Sequence, residues 1–365
     1  MIACMRLLVP VVVFCLAAGA LPEARQGQAF APARTGWDAL NAGRISEAAS
    51  AFDAALKLAP QQPTLLLGAG IAARLQGRED DARRLLLDAL AIDPALTEAS
   101  LVLGAVLYQM GDIDGAIDTY ERALVYAPRH PRLVQQLEAW HKEANLHSGF
   151  HRKLANHFTV LFEGPAEADL ADRAVAILEG AYLRIGTALF TYPTEVITVV
   201  LYTREQFHDI TQSPDWAGGA YDGRIRVPVQ GALANPAEFE RVLSHEFTHA
   251  LVRSIAPRGV PFWLDEGLAV RFEGSAPEGR RTRASTAPAL LPLSRLEASF
   301  ATLSGDDATL AYAQSAVAVQ IMFDQAGGAA IVSLLEAIGR GVPFADAFEQ
   351  TMLISYAQFQ RRLGS

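Results

Sequence analysis

Hydrophobic and polar positions follow three rhythms along this chain. The first is an apolar run from Leu7 to Leu21, preceded by Arg6 and interrupted only by Pro10. The second recurs every 34 residues between about 34 and 130: Gly43, Gly77 and Gly111 keep that spacing, as do Ala48, Ala82 and Ala116. So do Phe52, Leu86 and Tyr120, then Ala55, Ala89 and Ala123, then Pro60, Pro94 and Pro128. Within each period the pattern predicts two helices. Glycine ends the first, small residues let the pair approach closely, and proline stops the second. The third rhythm begins after about residue 148. Leu170, Ala174, Ile177, Leu178, Ala181 and Ile185 recur at helical spacing and predict a helix over 167–190. EVITVVLYT (195–203) is rich in β-branched residues and predicts a strand, and Arg224 to Val229 alternates as a second strand after the turn signals of GGAYDG. A helix carrying LSHEFTHALV follows, then a loop with Pro257, Gly259 and Pro261, and a helix from about Trp263. A polar loop at 274–288 and helices at about 307–326, 328–339 and 343–363 finish the chain. Strands followed by helices predict an α+β domain.

The 34-residue period resembles the tetratricopeptide repeat. The expected architecture is therefore an N-terminal all-α tetratricopeptide-repeat solenoid over 34–147, made of three repeats and a closing helix from Pro131. A linker over 148–166 and the α+β domain over 167–365 follow. The repeats offer a concave groove for a protein partner or a peptide substrate; a plain helical spacer is the alternative.

Composition narrows the picture. A chain of 365 residues that is 51% hydrophobic has enough apolar side chains for two ordinary domains. Its net charge of −9, with no Lys/Arg run, excludes a nucleic-acid surface. The first 20 residues have the layout of a secretory signal peptide, with a basic start, an apolar centre and the small residues Ala18-Gly19-Ala20. The expected location is periplasmic or secreted, and an uncleaved inner-membrane anchor is the alternative. Cys4 and Cys15 both lie near the start, so cleavage after Ala20 leaves a chain with no thiol to mispair.

The candidate chemistry lies in LSHEFTHALV (243–252). His245 and His249 are four apart, one turn above each other on one helical face, where both rings can reach one zinc ion (Zn2+). Glu246 lies about 100° round the helix, suited to act on water as a general base. The helix is otherwise apolar, and buried charges need a partner or a metal. Seventeen residues after His249, Glu266 in PFWLDEGLAVRF supplies a third ligand, with Gly267 expected to leave room beside the metal. Two histidines and a carboxylate with an open position form a catalytic zinc arrangement. Asp265 is the rival carboxylate, expected instead to cap the helix.

HEFTH followed by WLDEGLA resembles the gluzincin metallopeptidases, most closely the peptidase-MA-like domains found behind tetratricopeptide repeats in secreted bacterial proteins. The resemblance implies a zincin-like (gluzincin) fold and amide hydrolysis at zinc held by His245, His249 and Glu266, with Glu246 as general base. It also implies a strand edge over the cleft, here GRIRVPV, and a tyrosine on the helix after the motif that stabilises the oxyanion. Tyr312 is the candidate and Tyr221 its rival. The chain departs from the family at Val270, where an acidic residue usually steadies the first histidine; Glu273 or a backbone carbonyl is expected to serve instead. The competing class is a non-catalytic scaffold with a vestigial or peptide-binding zinc domain. Val270 favours it, whereas a general base at Glu246 has no use in it.

Overall fold

The computed structural model describes residues 23–212, 218–229, 232, 234–274, 290–300 and 303–363. The expected signal peptide and all but the first residue of the 274–288 connection lie outside these residues. The chain forms two compact units, one ending at Ser148 and one spanning Gly149–Ser365.

The first unit contains α1 (Glu23–Asn41), α2 (Ile45–Leu58), α3 (Pro63–Leu75), α4 (Glu79–Ile92), α5 (Thr97–Gln109), α6 (Ile113–Tyr126) and α7 (Pro131–His147). Gly43, Gly77 and Gly111 turn the chain between paired helices with φ of 73°, 73° and 86°, a region that favours glycine. Ala48, Ala82 and Ala116 are fully buried where the helices meet. Phe52, Leu86 and Tyr120 press against a second glycine series, Gly36, Gly70 and Gly104, where a Cβ would stand closer than 3.0 Å to the apolar ring or side chain. α7 closes the stack: Trp140 lies 5.2 Å from the Tyr108 ring and 4.6 Å from that of Tyr120.

The second unit is helix-rich with a small mixed sheet. Its elements are β1 (His151–Leu154), β2 (Phe158–Phe162), α8 (Ala168–Leu189), β3 (Ile197–Tyr202), α9 (Arg204–Thr211), β4 (Ala220–Tyr221), β5 (Ile225–Pro228), α10 (Pro236–Ile255) and α11 (Phe262–Phe272). They are followed by α12 (Gly305–Gly339), α13 (Phe344–Met352) and α14 (Tyr356–Leu363). The sheet order is β1-β2-β3-β5-β4, with β2-β3 and β3-β5 parallel and the outer pairs antiparallel. Residues 148–166, expected to be a linker, thus carry the first two strands. In β2, Phe158, Val160 and Phe162 alternate into the core. They meet Val199 and Leu201 of β3, Ile225 and Val227 of β5, and the apolar stripe of α8.

α12 breaks at Gly327, whose φ of 76° and ψ of 174° separate the two helices the sequence predicts. The single helix expected over 343–363 is instead α13 and α14, parted at Leu353 with φ 58°. α11 is held on both sides. Buried Trp263 donates from Nε1 to the Tyr356 hydroxyl at 3.0 Å, and Gly267 lies against the Ser315 carbonyl of α12, where a Cβ would stand 2.6 Å away. The room at Gly267 is used by the α12 backbone.

Candidate metal centre

α10 begins at Asn235, whose side chain accepts from the Glu238 amide at 3.2 Å, with Pro236 as the first helical residue. Its inner face buries Phe239, Val242, Leu243, Phe247, Ala250 and Leu251 in the core. This fixes the helix's rotation and turns His245 and His249 toward α11, their ring centroids 4.9 Å apart. Glu266, one turn into α11, faces both. Its Oε2 is 3.5 Å from His245 Nε2 and 3.9 Å from His249 Nε2. These are ion-pair separations, and Glu266 Oε2 is buried with no hydrogen-bond partner among the described residues. One ligand atom from each of the three residues lies within 4.8 Å of the others.

The opposite ring nitrogens are pinned. His245 Nδ1 is 3.1 Å from Glu273 Oε2, and His249 Nδ1 is 3.0 Å from Asp265 Oδ1. Each carboxylate accepts the Nδ1 proton and leaves Nε2 aimed at Glu266. One expectation changes here, and one open alternative is resolved. Asp265 does not cap α11, whose N-cap Pro261 makes no side-chain cap hydrogen bond; it orients His249. Val270 is buried in the core, and Glu273, just past the helix end, supplies the support for His245.

Charge follows this geometry. Burial alone would lower the pKa of His245, but Glu266 and Glu273 outweigh it and raise it to about 10. Burial is likewise outweighed at His249, which Asp265 raises to about 9. Burial pushes Asp265 up, and His249 more than offsets it, holding that carboxyl below its ordinary range. Glu246 is pushed up by burial, against the pull of both histidines. An unpartnered buried carboxylate oxygen facing two imidazole nitrogens fits a divalent cation of the zinc type. Zinc bonds of about 2.0–2.1 Å in a tetrahedron set ligand atoms roughly 3.3 Å apart; the 3.5 Å pair lies near that spacing and the 3.9 Å pair is wider.

The strand beside the site also differs from expectation. β5, the heart of GRIRVPV, lies between β3 and β4 and is not an edge. The last strand is β4, preceded by Gly218 and Gly219. A Cβ on Gly219 would stand 2.7 Å from Glu246 Oε1, and one on Gly218 would stand 3.1 Å from Val242. The segment 218–221 therefore tracks α10 past Glu246. No motif in the sequence marks this two-residue strand; the Gly-Gly pair is its one signal.

The two tyrosines sit differently. Tyr312 packs on the core, its ring edge-on to Phe300 at 5.1 Å, three residues before the Ser315 that backs Gly267. Tyr221 lies in β4, half-buried, its pKa pushed up to about 12 by burial, with Arg253 opposing and Asp222 and Asp265 adding to the rise.

Comparison with known proteins agrees with both units. Residues 181–358 match the Peptidase MA superfamily, and residues 34–96 and 73–140 match tetratricopeptide repeat models. The chain thus contains a Peptidase MA superfamily domain and tetratricopeptide repeats. The cellulose synthase operon protein C of Komagataeibacter xylinus is 46% identical over 59 residues, 16% of this chain and 4% of that relative's length. The first TPR of Spaghetti (RPAP3), solved with the HSP90 peptide SRMEEVD, is 19% identical; the match covers 33% of this chain and 97% of that one at a TM-score of 0.32. The myosin chaperone UNC-45 from C. elegans, in complex with an Hsp90 peptide, is 14% identical over 88% of this chain and 35% of its own, at 0.33. At such scores neither structure bears on the fold or function of this chain.

Proposed function

We propose that this chain is a zinc-dependent metallopeptidase of the gluzincin type that hydrolyses peptide bonds of an exported protein or peptide. The observation that carries the reading is the convergence of His245 Nε2, His249 Nε2 and the unpartnered Glu266 Oε2 on one point, with Glu246 buried beside them. The Peptidase MA superfamily match supports it. His245, His249 and Glu266 are the residues that hold the metal. When bound, zinc supplies a Lewis acid that acidifies water and polarises a carbonyl. Glu246 accepts the water proton on its carboxylate as the water oxygen adds to the carbonyl carbon. It then delivers that proton to the amide nitrogen as the C–N bond breaks. Asp265 and Glu273 keep the imidazoles oriented. The segment Gly218–Tyr221 presents main chain beside Glu246, suited to pairing with an extended substrate. Tyr312 is our candidate donor to the oxyanion, with Tyr221 as the alternative.

The repeats bind the substrate or a protein partner in this reading, and the N-terminal segment directs the chain to the periplasm or the exterior. The competing reading, a non-catalytic periplasmic scaffold, leaned on Val270; the contact of Glu273 with His245 supplies what Val270 lacks. Zinc-loaded protein incubated with a peptide library separates the two. We expect cleavage that is lost in Glu246→Ala, whereas bound zinc with no cleavage of any peptide supports the scaffold.

A further inference from the structure

Glu273 is a buried carboxylate whose side chain has 0% exposure, and such a group needs a compensating charge. It has one. Arg241 donates from Nη1 to Glu273 Oε2 at 2.6 Å, and His245 Nδ1 meets the same oxygen at 3.1 Å. Arg241 is in turn gripped by Glu238, which accepts from Nε at 2.8 Å and from Nη2 at 2.6 Å. Glu238, Arg241 and His245 follow one another up the same face of α10. The end of α11 from which Glu273 projects is fixed separately: Arg184 of α8 donates to the Phe272 carbonyl at 2.9 Å and to Ser244 Oγ at 3.1 Å.

We propose that Arg241 is a positioning residue for the metal centre. It holds the Glu273 carboxylate against His245 Nδ1 and so keeps His245 Nε2 aimed at Glu266. The inference rests on the zinc reading above. Its physical content is a relay across two helices. A carboxylate within α11 could support His245 with no further help, but Val270 occupies that turn. Glu273 reaches in from beyond the helix end, where its charge is buried and its direction is set by what grips it. Without Arg241, Glu273 loses the guanidinium that fixes its rotamer, and the His245 ring is free to turn or to move its proton to Nε2. Arg241 itself touches no reacting atom.

The test is zinc affinity of the full chain, measured by competition with a chromophoric chelator, alongside thermal unfolding of the metal-free protein. Glu273→Gln and Arg241→Met are each expected to bind zinc about 10–100-fold more weakly. The double variant should be little weaker than Glu273→Gln alone, because one residue acts through the other. Arg241→Lys should fall between parent and Arg241→Met, since it keeps the charge and loses the fork. Should Arg241→Met fail to fold, Arg241→Gln carries the same comparison. Arg241 variants that match the parent in affinity overturn the proposal, as does a double variant whose loss is the product of the single losses. His249→Ala is the control: if it and the parent both fail to bind zinc, the metallopeptidase reading falls as well, a result distinct from zinc binding that ignores Arg241.

Discussion

Gly219→Ala is the most informative single substitution near Glu246. The backbone of Gly219 has no left-handed strain, so alanine is conformationally allowed, and the effect comes from the added methyl alone. That methyl would stand 2.7 Å from Glu246 Oε1, 2.8 Å from Cγ and 3.0 Å from Cδ. Carbon atoms settle at about 3.5 Å or more, so the Glu246 side chain must retreat by roughly 0.7 Å. The side chain is flexible, so the fold gives way cheaply, within about 1–2 kcal/mol. Catalysis does not. A misplacement of about 1 Å can cost on the order of 100-fold, and we expect kcat to fall by about 10–100-fold. Glu246 is not a ligand in our reading, so zinc content should stay at the parental level. Truncating the side chain to Cβ removes every atom the methyl would meet, and Gly219→Ala should add nothing to the loss in Glu246→Ala. The assay is steady-state hydrolysis of a peptide selected from the library, with metal analysis of the same samples. Parental turnover in Gly219→Ala would refute the claim that the 218–221 segment constrains the general base.

Further predictions follow from the same geometry. Asp265→Asn removes the charge that orients His249 and should weaken zinc binding by about 10–100-fold, read by chelator competition. His245 and His249, raised to about 10 and about 9, are both protonated near pH 7 in the metal-free protein and must be neutral to act as ligands. Zinc binding at that pH should therefore release close to two protons, seen by calorimetry in buffers of different ionisation enthalpy. The apparent affinity should rise with pH up to about 9–10; proton-neutral binding would contradict this. Their raised pKa values also stabilise the metal-free fold below pH ~6.5, and that contribution should fade as pH climbs through 9–10. In the repeat unit, Phe52 is fully buried between Gly36 and Gly68, with Trp37 edge-on at 5.2 Å. Phe52→Ala should cost about 3–5 kcal/mol in denaturant unfolding.

The legibility of the sequence tracks how local each signal is. The repeats were readable because each turn glycine and interhelical alanine returns every 34 residues, and one period confirms the next. The His245–Glu246–His249 trio was readable because four-residue spacing on a helix is itself geometry. β1 and β2 were not, because HRKL and FTVLF are short and lie among polar residues in what reads as a connector. α9 is a short helix whose one local signal is the capping box of Thr203 and Gln206 in the TREQ string. The edge strand is β4 and not GRIRVPV, and it is illegible because it has two residues and no pattern; only pairing across the sheet separates an edge from an interior strand. Asp265 and Glu273 acquire their roles through α10–α11 packing. Residues 16 and 28 positions apart meet there, and no one-dimensional periodicity encodes that.

The central claim is tested most directly by zinc per chain in the purified protein, beside His245→Ala and Glu266→Ala, by metal analysis. The account predicts close to one zinc in the parent and a clear loss in both variants. No zinc in the parent after careful loading, or parental zinc in either variant, would contradict it.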